Sequence, residues 1–396
     1  MSRWDGQYSS AILSLAKEFA LRHRVFYIDH PFTVKDFFTR FRSKEIQTRR
    51  QALLFGRNIF RNPEGFPKNF IAVTPRLVLP ANFLPEGRLY DFFSKTNDSL
   101  VFSAIRKAIR HFGIRKFFFL NSFNPFYARN FPADIQPELF IYQTRDDISQ
   151  AKHAAKHGVR LENEMIRKAD IVFATSKELT RAKSAINRNT FYLPNAADVE
   201  LFRAAQNNNL PRPPELANCS GKVILYMGNI GWARVDFQLL RKIALHDKDW
   251  TLLLVGPTDS EEHIKAGLDK LPNVIFAGGK QMKELPAYVA HADCTLIPFQ
   301  CNTLTKSIYP LKINEYLAAG KPVVTTRFSD DIAEFNGVAH VAGSHAEFIQ
   351  LIEKSLLDDS PQQQQLRIRV AEQNSWKGRV EMFWKVVSEF ENGSIQ

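Results

Sequence analysis

Ser307-Ile308-Tyr309-Pro310-Leu311-Lys312-Ile313-Asn314-Glu315-Tyr316-Leu317-Ala318-Ala319-Gly320-Lys321-Pro322-Val323-Val324-Thr325-Thr326 reads as loop, helix and strand in succession. Pro310 suits a first helical turn, and Leu311, Leu317 and the alanines form a packing face. Gly320 and Pro322 stop the helix ahead of the β-branched run Val323 to Thr326. Lys312 and Glu315 are three apart and share one face of the first turn, where free backbone N–H groups and the helix dipole favour an anion. A nucleoside diphosphate fits that chemistry, with Lys312 and the N–H groups on pyrophosphate and Glu315 accepting from ribose hydroxyls. From spacing alone, a Lys/Glu pair that merely meets in solvent is the commoner explanation.

Preceded by Asn302-Thr303-Leu304-Thr305, this stretch resembles the donor-site signature of GT-B glycosyltransferases of the retaining family-4 type, especially those of bacterial cell-surface polysaccharides. The resemblance implies two doubly wound, Rossmann-like α/β domains with parallel sheets facing across a cleft. It places Lys312 on the donor phosphates, Glu315 on the ribose, and Asn302, Thr305, Ser307 and Leu311 around them. Many members carry a second Glu where this chain has Ser307, and a hydroxyl cannot neutralise developing positive charge as a carboxylate can.

The length of 396 residues exceeds one ordinary core and predicts two domains. An apolar content of 44% with 24% charged residues excludes a disordered chain. Cys219, Cys294 and Cys301 have no paired ligand spacing, so neither a disulfide framework nor a metal site is expected. With no signal peptide at Met1 to Ser10 and no apolar run long enough to span a bilayer, the expected location is cytoplasmic. The net charge of +12 lies in the first half: residues 1–200 hold 32 Lys and Arg against 19 Asp and Glu. That half is expected to meet an anionic surface.

Working outward toward the N-terminus, Lys222 to Met227 is a strand that runs into Gly228-Asn229-Ile230-Gly231. Gly-x-Gly alone is a weak phosphate signal, but the resemblance makes Gly228, Asn229 and Ile230 donor contacts, with Arg234 a second phosphate cation and Lys280 on the rim of the base site. Gln206 to Ser220 is rich in Pro and Asn without periodicity, and a linker is expected at 206–221. The domains are then 1–205, acceptor-binding, and 222–375, donor-binding. A terminal helix at 376–396 is expected to return to the first domain, as in GT-B enzymes.

In the first domain, Leu139 to Tyr142 is a strand leading to Asp146 and Asp147, placed for chemistry at a carboxyl end. A helix cap is the commoner role for paired acids. The resembled family often has a Tyr followed by an acidic pair here, which implies Tyr142 on the acceptor side and Asp146 and Asp147 as catalytic candidates. Ser9 to Leu21 is a helix, and Arg24 to Asp29 a buried strand. The family has a strand before that helix, running into a loop that Asp5 and Gly6 would occupy beside the acceptor. Here Met1 stands almost at the loop, so either the start is truncated or the sheet lacks an edge.

Residues 32–61 interleave Phe32, Phe37, Phe38, Phe41 and Phe55 with Lys35, Arg40, Arg42, Lys44, Arg49, Arg50 and Arg57. Two short basic amphipathic helices on an anionic bilayer would explain this, as would phenylalanines packed inward with solvated arginines. Single-strand nucleic acid is a weaker fit, because no binding signature accompanies the pattern.

The leading expectation is a glycosyltransferase that moves a sugar from a nucleoside-diphosphate sugar to a glycan or polyprenyl-diphosphate-linked acceptor. The resemblance implies retention and no metal cofactor, with Lys312 offsetting the charge of the leaving diphosphate. An epimerase of the same fold, or a sugar-nucleotide-binding subunit without turnover, are the alternatives.

Overall fold

A computed structural model describes residues 3–6, 10–150, 154, 156–206 and 209–394. The chain divides into two compact units. One comprises 1–175, 179–193 and 380–396; the other comprises 176–178 and 194–379. Both alternate helix and strand, as expected of parallel sheets joined by helical crossovers.

The first unit contains α1 (Ala11–Ala20), β1 (Val25–Ile28), α2 (Val34–Thr39), α3 (Lys44–Phe55), β2 (Phe60–Arg61), β3 (Phe70–Val73) and α4 (Arg88–Phe112). It continues with β4 (Phe118–Ser122), β5 (Leu139–Thr144), α5 (Gly158–Lys168), β6 (Ile171–Ala174), most of α6 (Lys177–Ser184) and β7 (Thr190–Tyr192). Its strands form two separate ribbons, β1-β3-β2 and β4-β5-β6-β7, in which only β2 runs antiparallel to its neighbour. Among the described residues no backbone hydrogen bonds join β1 to β4, so the strands of this unit fall in two sheets. Capping follows local chemistry: the Ser10 side chain accepts from the Leu13 N–H at the start of α1, and Thr33 and Asp36 form a capping box on α2.

The second unit contains α7 (Val199–Arg203), β8 (Lys222–Met227), α8 (Phe237–His246), β9 (Trp250–Val255), α9 (Glu262–Lys265), β10 (Val274–Gly278), α10 (Leu285–Ala290) and β11 (Cys294–Ile297). It goes on through α11 (Thr303–Lys306), α12 (Leu311–Ala318), β12 (Val323–Thr326), β13 (His340–Ala342), α13 (His345–Leu357) and α14 (Pro361–Gln373). One parallel sheet runs β10-β9-β8-β11-β12-β13. Strands of such a sheet are covered on both faces, which is why β9, β11 and β12 are buried at every position. The strand order reverses between β8 and β11, the place where ligands of open α/β sheets bind beyond the carboxyl ends. The segment 206–221 belongs to this unit: the Gln206 amide donates to the Ala318 carbonyl at 2.7 Å, and Glu215 pairs with Lys280.

Helix α15 (Trp376–Glu391) is shared by the two units. From Val380 onward it packs in the first, where Phe383 meets Phe19 of α1 and Phe173 of β6. Among the described residues no helix is long and apolar enough to cross a membrane.

The phenylalanine-rich segment divides by burial. Phe32, Ile46, Leu53 and Ile59 are inside, whereas Phe38, Phe41 and Phe55 are exposed beside Arg40, Arg42, Lys44, Arg50 and Arg57.

Candidate functional site: the carboxyl ends of β8 and β11

Gly228 closes β8 with φ near +154°, and Gly256 closes β9 with φ near +152°, a region that side chains disfavour. A Cβ on Gly256 would stand 1.7 Å from the Gly228 carbonyl oxygen, so the two strand ends cross only with glycine there. The loop that follows is fastened from two directions. Asp259 accepts from the Asn229 side chain at 3.4 Å and from the Trp232 N–H at 3.3 Å. From the end of β11, the Gln300 amide donates to the Trp232 and Val235 carbonyls at 2.9 Å each, and the Asn302 amide donates to Ala233 at 3.1 Å.

Asn302 also opens α11, where its side-chain oxygen accepts from the Thr305 N–H at 2.9 Å and the Thr305 hydroxyl reaches back to the Gln300 carbonyl at 2.5 Å. Ser307 ends that turn and is buried. Pro310 then leads into α12. Four residues beyond Lys312, the Tyr316 hydroxyl accepts from the Met227 N–H at 2.8 Å, which locks α12 to the last residue of β8.

Lys312 and Glu315 are held between these ties. Lys312 Nζ lies 2.7 Å from Glu315 Oε2; the Glu315 side chain is 1% exposed and that of Lys312 29%. Burial pushes the Glu315 carboxyl above its ordinary range, and the Lys312 ammonium opposes the shift. The pair is thus not a solvated surface contact. One member is sunk in the unit, and the other still reaches solvent at the start of a helix. Glu315 can accept from hydroxyls, while the Lys312 ammonium and nearby N–H groups can meet an anion.

Two other donor-side candidates are Lys280 and Arg234. Lys280 Nζ is 2.5 Å from Glu215, whose carboxylate also receives the Tyr288 hydroxyl at 3.0 Å, and its side-chain interactions with Glu215 and then Tyr288 hold Lys280 well above the usual lysine range. Arg234 sits in a turn, its N–H on the Gly231 carbonyl at 3.1 Å, with its guanidinium near Tyr226.

The remaining candidates belong to the first unit. Asp5 makes two hydrogen bonds of 2.7 Å with Arg49, which also pairs with the buried Asp29 at 2.5 Å and lies 4.7 Å from the Trp4 ring. Gly6 is exposed in the turn after it. Asp147 caps the short 3-10 turn Ile148–Gln150, accepting from the Ser149 N–H at 3.0 Å and its hydroxyl at 2.7 Å. Asp146 is half-buried beside Arg145. Tyr142, expected to face an acceptor, is fully buried and donates to Glu162 at 3.3 Å, where Thr144 and Lys183 also converge. Its strand position points it into the core.

Asp259, Gln300 and Tyr316 were not among the expected site residues. Of these only Tyr316 carried a sequence signal, its spacing of four from Lys312.

Residues 221–358 match the family "Glycosyl transferases group 1". The "Putative teichuronic acid biosynthesis glycosyltransferase TuaH" of Bacillus subtilis (strain 168) is 30% identical over 221 residues, 54% of this chain and 55% of that protein. The chain thus spans about half the length of this curated relative. Among solved structures, "Trehalose-6-phosphate from E. coli bound with UDP-2-fluoro glucose" aligns with a TM-score of 0.68 at 10% identity, over 96% of both chains. The sucrose-phosphate synthase of Thermosynechococcus elongatus aligns at 0.62 and 14%, over 96% of this chain and 93% of that one. Anabaena Alr3699/HepE in complex with UDP and glucose aligns at 0.59 and 15%, over 96% of both. At such identities the likeness is one of fold, and the fold is the GT-B type with two Rossmann-like units.

Proposed function

We propose that this chain is a glycosyltransferase that takes a sugar from a nucleoside-diphosphate sugar, with uridine diphosphate the first candidate carrier. The observation that carries the reading is the Lys312–Glu315 pair at the start of α12, one member buried and the other open, on a helix tied to β8 by Tyr316. The family match over the same unit and the UDP-bound structures of similar fold support it. In this reading Glu315 accepts from the ribose, and Lys312 with the helix N-terminus stabilises the leaving diphosphate. The bond from the anomeric carbon to phosphate oxygen breaks as the acceptor oxygen bonds to that carbon, and the acceptor proton passes to the diphosphate on the same face. The configuration is retained, and the charge is offset by Lys312 rather than by a required metal ion.

The acceptor in this proposal is a glycan or polyprenyl-diphosphate-linked intermediate of cell-surface polysaccharide assembly. The teichuronic acid role in the name of the Bacillus relative supports that choice. Exposed Phe38, Phe41 and Phe55 among the exposed Lys35, Arg40, Arg42, Lys44, Arg50, Arg57 and Arg61 fit attachment to an anionic bilayer that carries such an acceptor. Calorimetric titration with UDP-glucose, UDP-N-acetylglucosamine and GDP-mannose tests the donor class, and sugar release with and without EDTA tests turnover and metal dependence. Binding without turnover on any acceptor lipid would instead favour a non-catalytic sugar-nucleotide subunit.

A further inference from the structure

Strand β5 of the first unit ends on a cation that has no partner among the described residues. The strand pairs with β4 as far as Ser122–Gln143 and with β6 as far as Thr144–Ala174. Just beyond, the Arg145 carbonyl accepts from the Thr175 hydroxyl at 2.8 Å, and two residues later Asp147 caps the turn Ile148–Gln150. The Arg145 backbone is therefore held from both sides at the carboxyl end of a central strand. Tyr142 and Thr144 both turn onto Glu162, so alternation sends Gln143 and Arg145 to the opposite face. Tyr27 of β1 and Asp146 lie within electrostatic range of the guanidinium.

Other buried or half-buried arginines of this unit show what such a group ordinarily receives. Arg49 holds Asp5 and Asp29, Arg129 holds Glu164 and the Ser94 hydroxyl, and Arg106 holds Asp134. Arg145 is half-buried too, yet among the described residues its guanidinium makes no hydrogen bond and no ion pair. Burial pulls it below the ordinary arginine range, with Asp146 and Tyr27 opposing the shift. Other acids near these strand ends are committed: Asp29 and Asp5 to Arg49, and Asp147 to Ser149. Part of the Arg145 surface stays open to solvent, so a solute can approach it. A guanidinium withdrawn from water without a counter-charge costs stability, and such groups gather where a ligand supplies what is missing.

The place and the chemistry select the ligand. Parallel sheets of this kind meet their substrates beyond the carboxyl ends of the strands, and a planar fork of N–H donors matches the paired oxygens of a carboxylate or phosphate. We propose that Arg145 binds an oxyanion carried by the acceptor, a phosphate or a sugar carboxylate, and so selects anionic acceptors over neutral ones. This rests on the glycosyltransferase reading above and adds to it a specificity-determining residue on the first unit. The fixed backbone on either side of Arg145 presents the fork in one orientation, which makes the recognition geometric as well as electrostatic. A lysine there would keep the charge but lose the planar fork.

Binding and kinetics test this separately. In proton–nitrogen correlation spectra, the Arg145 Nε–Hε signal, assigned by its loss in Arg145→Lys, should shift on titration with sodium glucuronate or inorganic pyrophosphate and stay in place with glucose. Lys312→Ala in all these samples removes the competing cation of the donor site. A response to glucuronate alone identifies an acidic sugar, and one to pyrophosphate alone a phosphate; either supports the proposal. Arg145→Gln should weaken that binding by about 10- to 100-fold, and without ligand it should melt no lower than the parent, because an unpaired charge is gone. With Lys312 intact, Arg145→Gln should raise the KM for an acceptor bearing the anion at least about tenfold and change that for a matched neutral acceptor less than about twofold, with Arg145→Lys between. A signal that neither anion moves, equal anion affinity in Arg145→Gln, equal KM changes for charged and neutral acceptors, or a Tm well below the parent's would overturn the proposal. A parent chain whose Arg145 signal answers an anion but which moves sugar to no acceptor would instead sink the glycosyltransferase reading and leave the oxyanion site standing.

Discussion

The Tyr316 hydroxyl accepts a hydrogen bond from the Met227 N–H at 2.8 Å, joining the helix that carries Lys312 and Glu315 to the last residue of the strand that ends in the Gly228 loop. Both groups are buried, so the bond has no water to replace it. Tyr316→Phe should cost about 1–3 kcal/mol in chemical unfolding, the penalty for stranding a buried amide. It should also raise the donor KM several-fold, because α12 is then free to shift. An unchanged KM would show that the tie does not position the site.

Lys312→Ala should lower kcat by about 100- to 1,000-fold if the ammonium offsets charge on the leaving diphosphate. The same change removes the cation that opposes the upward shift of Glu315. An acid raised in the folded state is most stable protonated there, so stability is greatest at low pH and falls as pH climbs from the ordinary Glu value through the folded one. The variant should therefore lose more stability than the parent as pH rises above the ordinary Glu value, and Lys312→Ala with Glu315→Gln should lose that extra slope while remaining inactive. Denaturant melts across pH, with kinetics at one pH, separate the two effects.

His30, at the end of β1, is pushed down from 6.5 to about 4, mainly by burial and also by the Arg3 cation, with Asp36 opposing. Its folded form prefers the neutral ring, so its contribution is complete above pH 6.5 and is lost as pH falls toward 4. About 2–3 kcal/mol of stability should disappear over that window. His30→Gln should flatten this part of the profile in urea melts; a profile identical to the parent would place the acid sensitivity elsewhere.

Changing Phe38, Phe41 and Phe55 together to Ser touches only exposed side chains, so the Tm should stay within a few degrees. Flotation with vesicles rich in phosphatidylglycerol should drop by at least about tenfold, and the loss should be larger at high salt as the remaining Arg and Lys attraction is screened. Undiminished flotation of the triple variant would remove this face as the bilayer contact.

Much of the second unit was legible because its signals are local. Strands 222–227, 250–255 and 323–326 are apolar runs bounded by Gly, Pro or polar residues, and they form at those bounds. The short β2 and β13 escaped notice because a few residues carry too little periodicity to separate from a loop. At the site, the Lys312–Glu315 spacing was visible, but Glu315's burial was not, since burial depends on what packs over a residue rather than on its neighbours in the chain. Asn302 and Thr305 were placed together by a local capping motif, whereas Lys280 was drawn to Glu215, 65 residues away in sequence.

What the amino-acid order determined by itself was therefore the alternation of helix and strand, their caps and the face on which a cation and an acid would meet, all of which arise within a few residues of backbone. Tertiary structure alone decided which strands pair, that Tyr142 turns inward to Glu162, that Tyr316 reaches Met227, and that β1 and β4 fall in separate sheets. Those outcomes depend on hydrogen bonds and desolvation between segments far apart in the chain, and no local propensity encodes them.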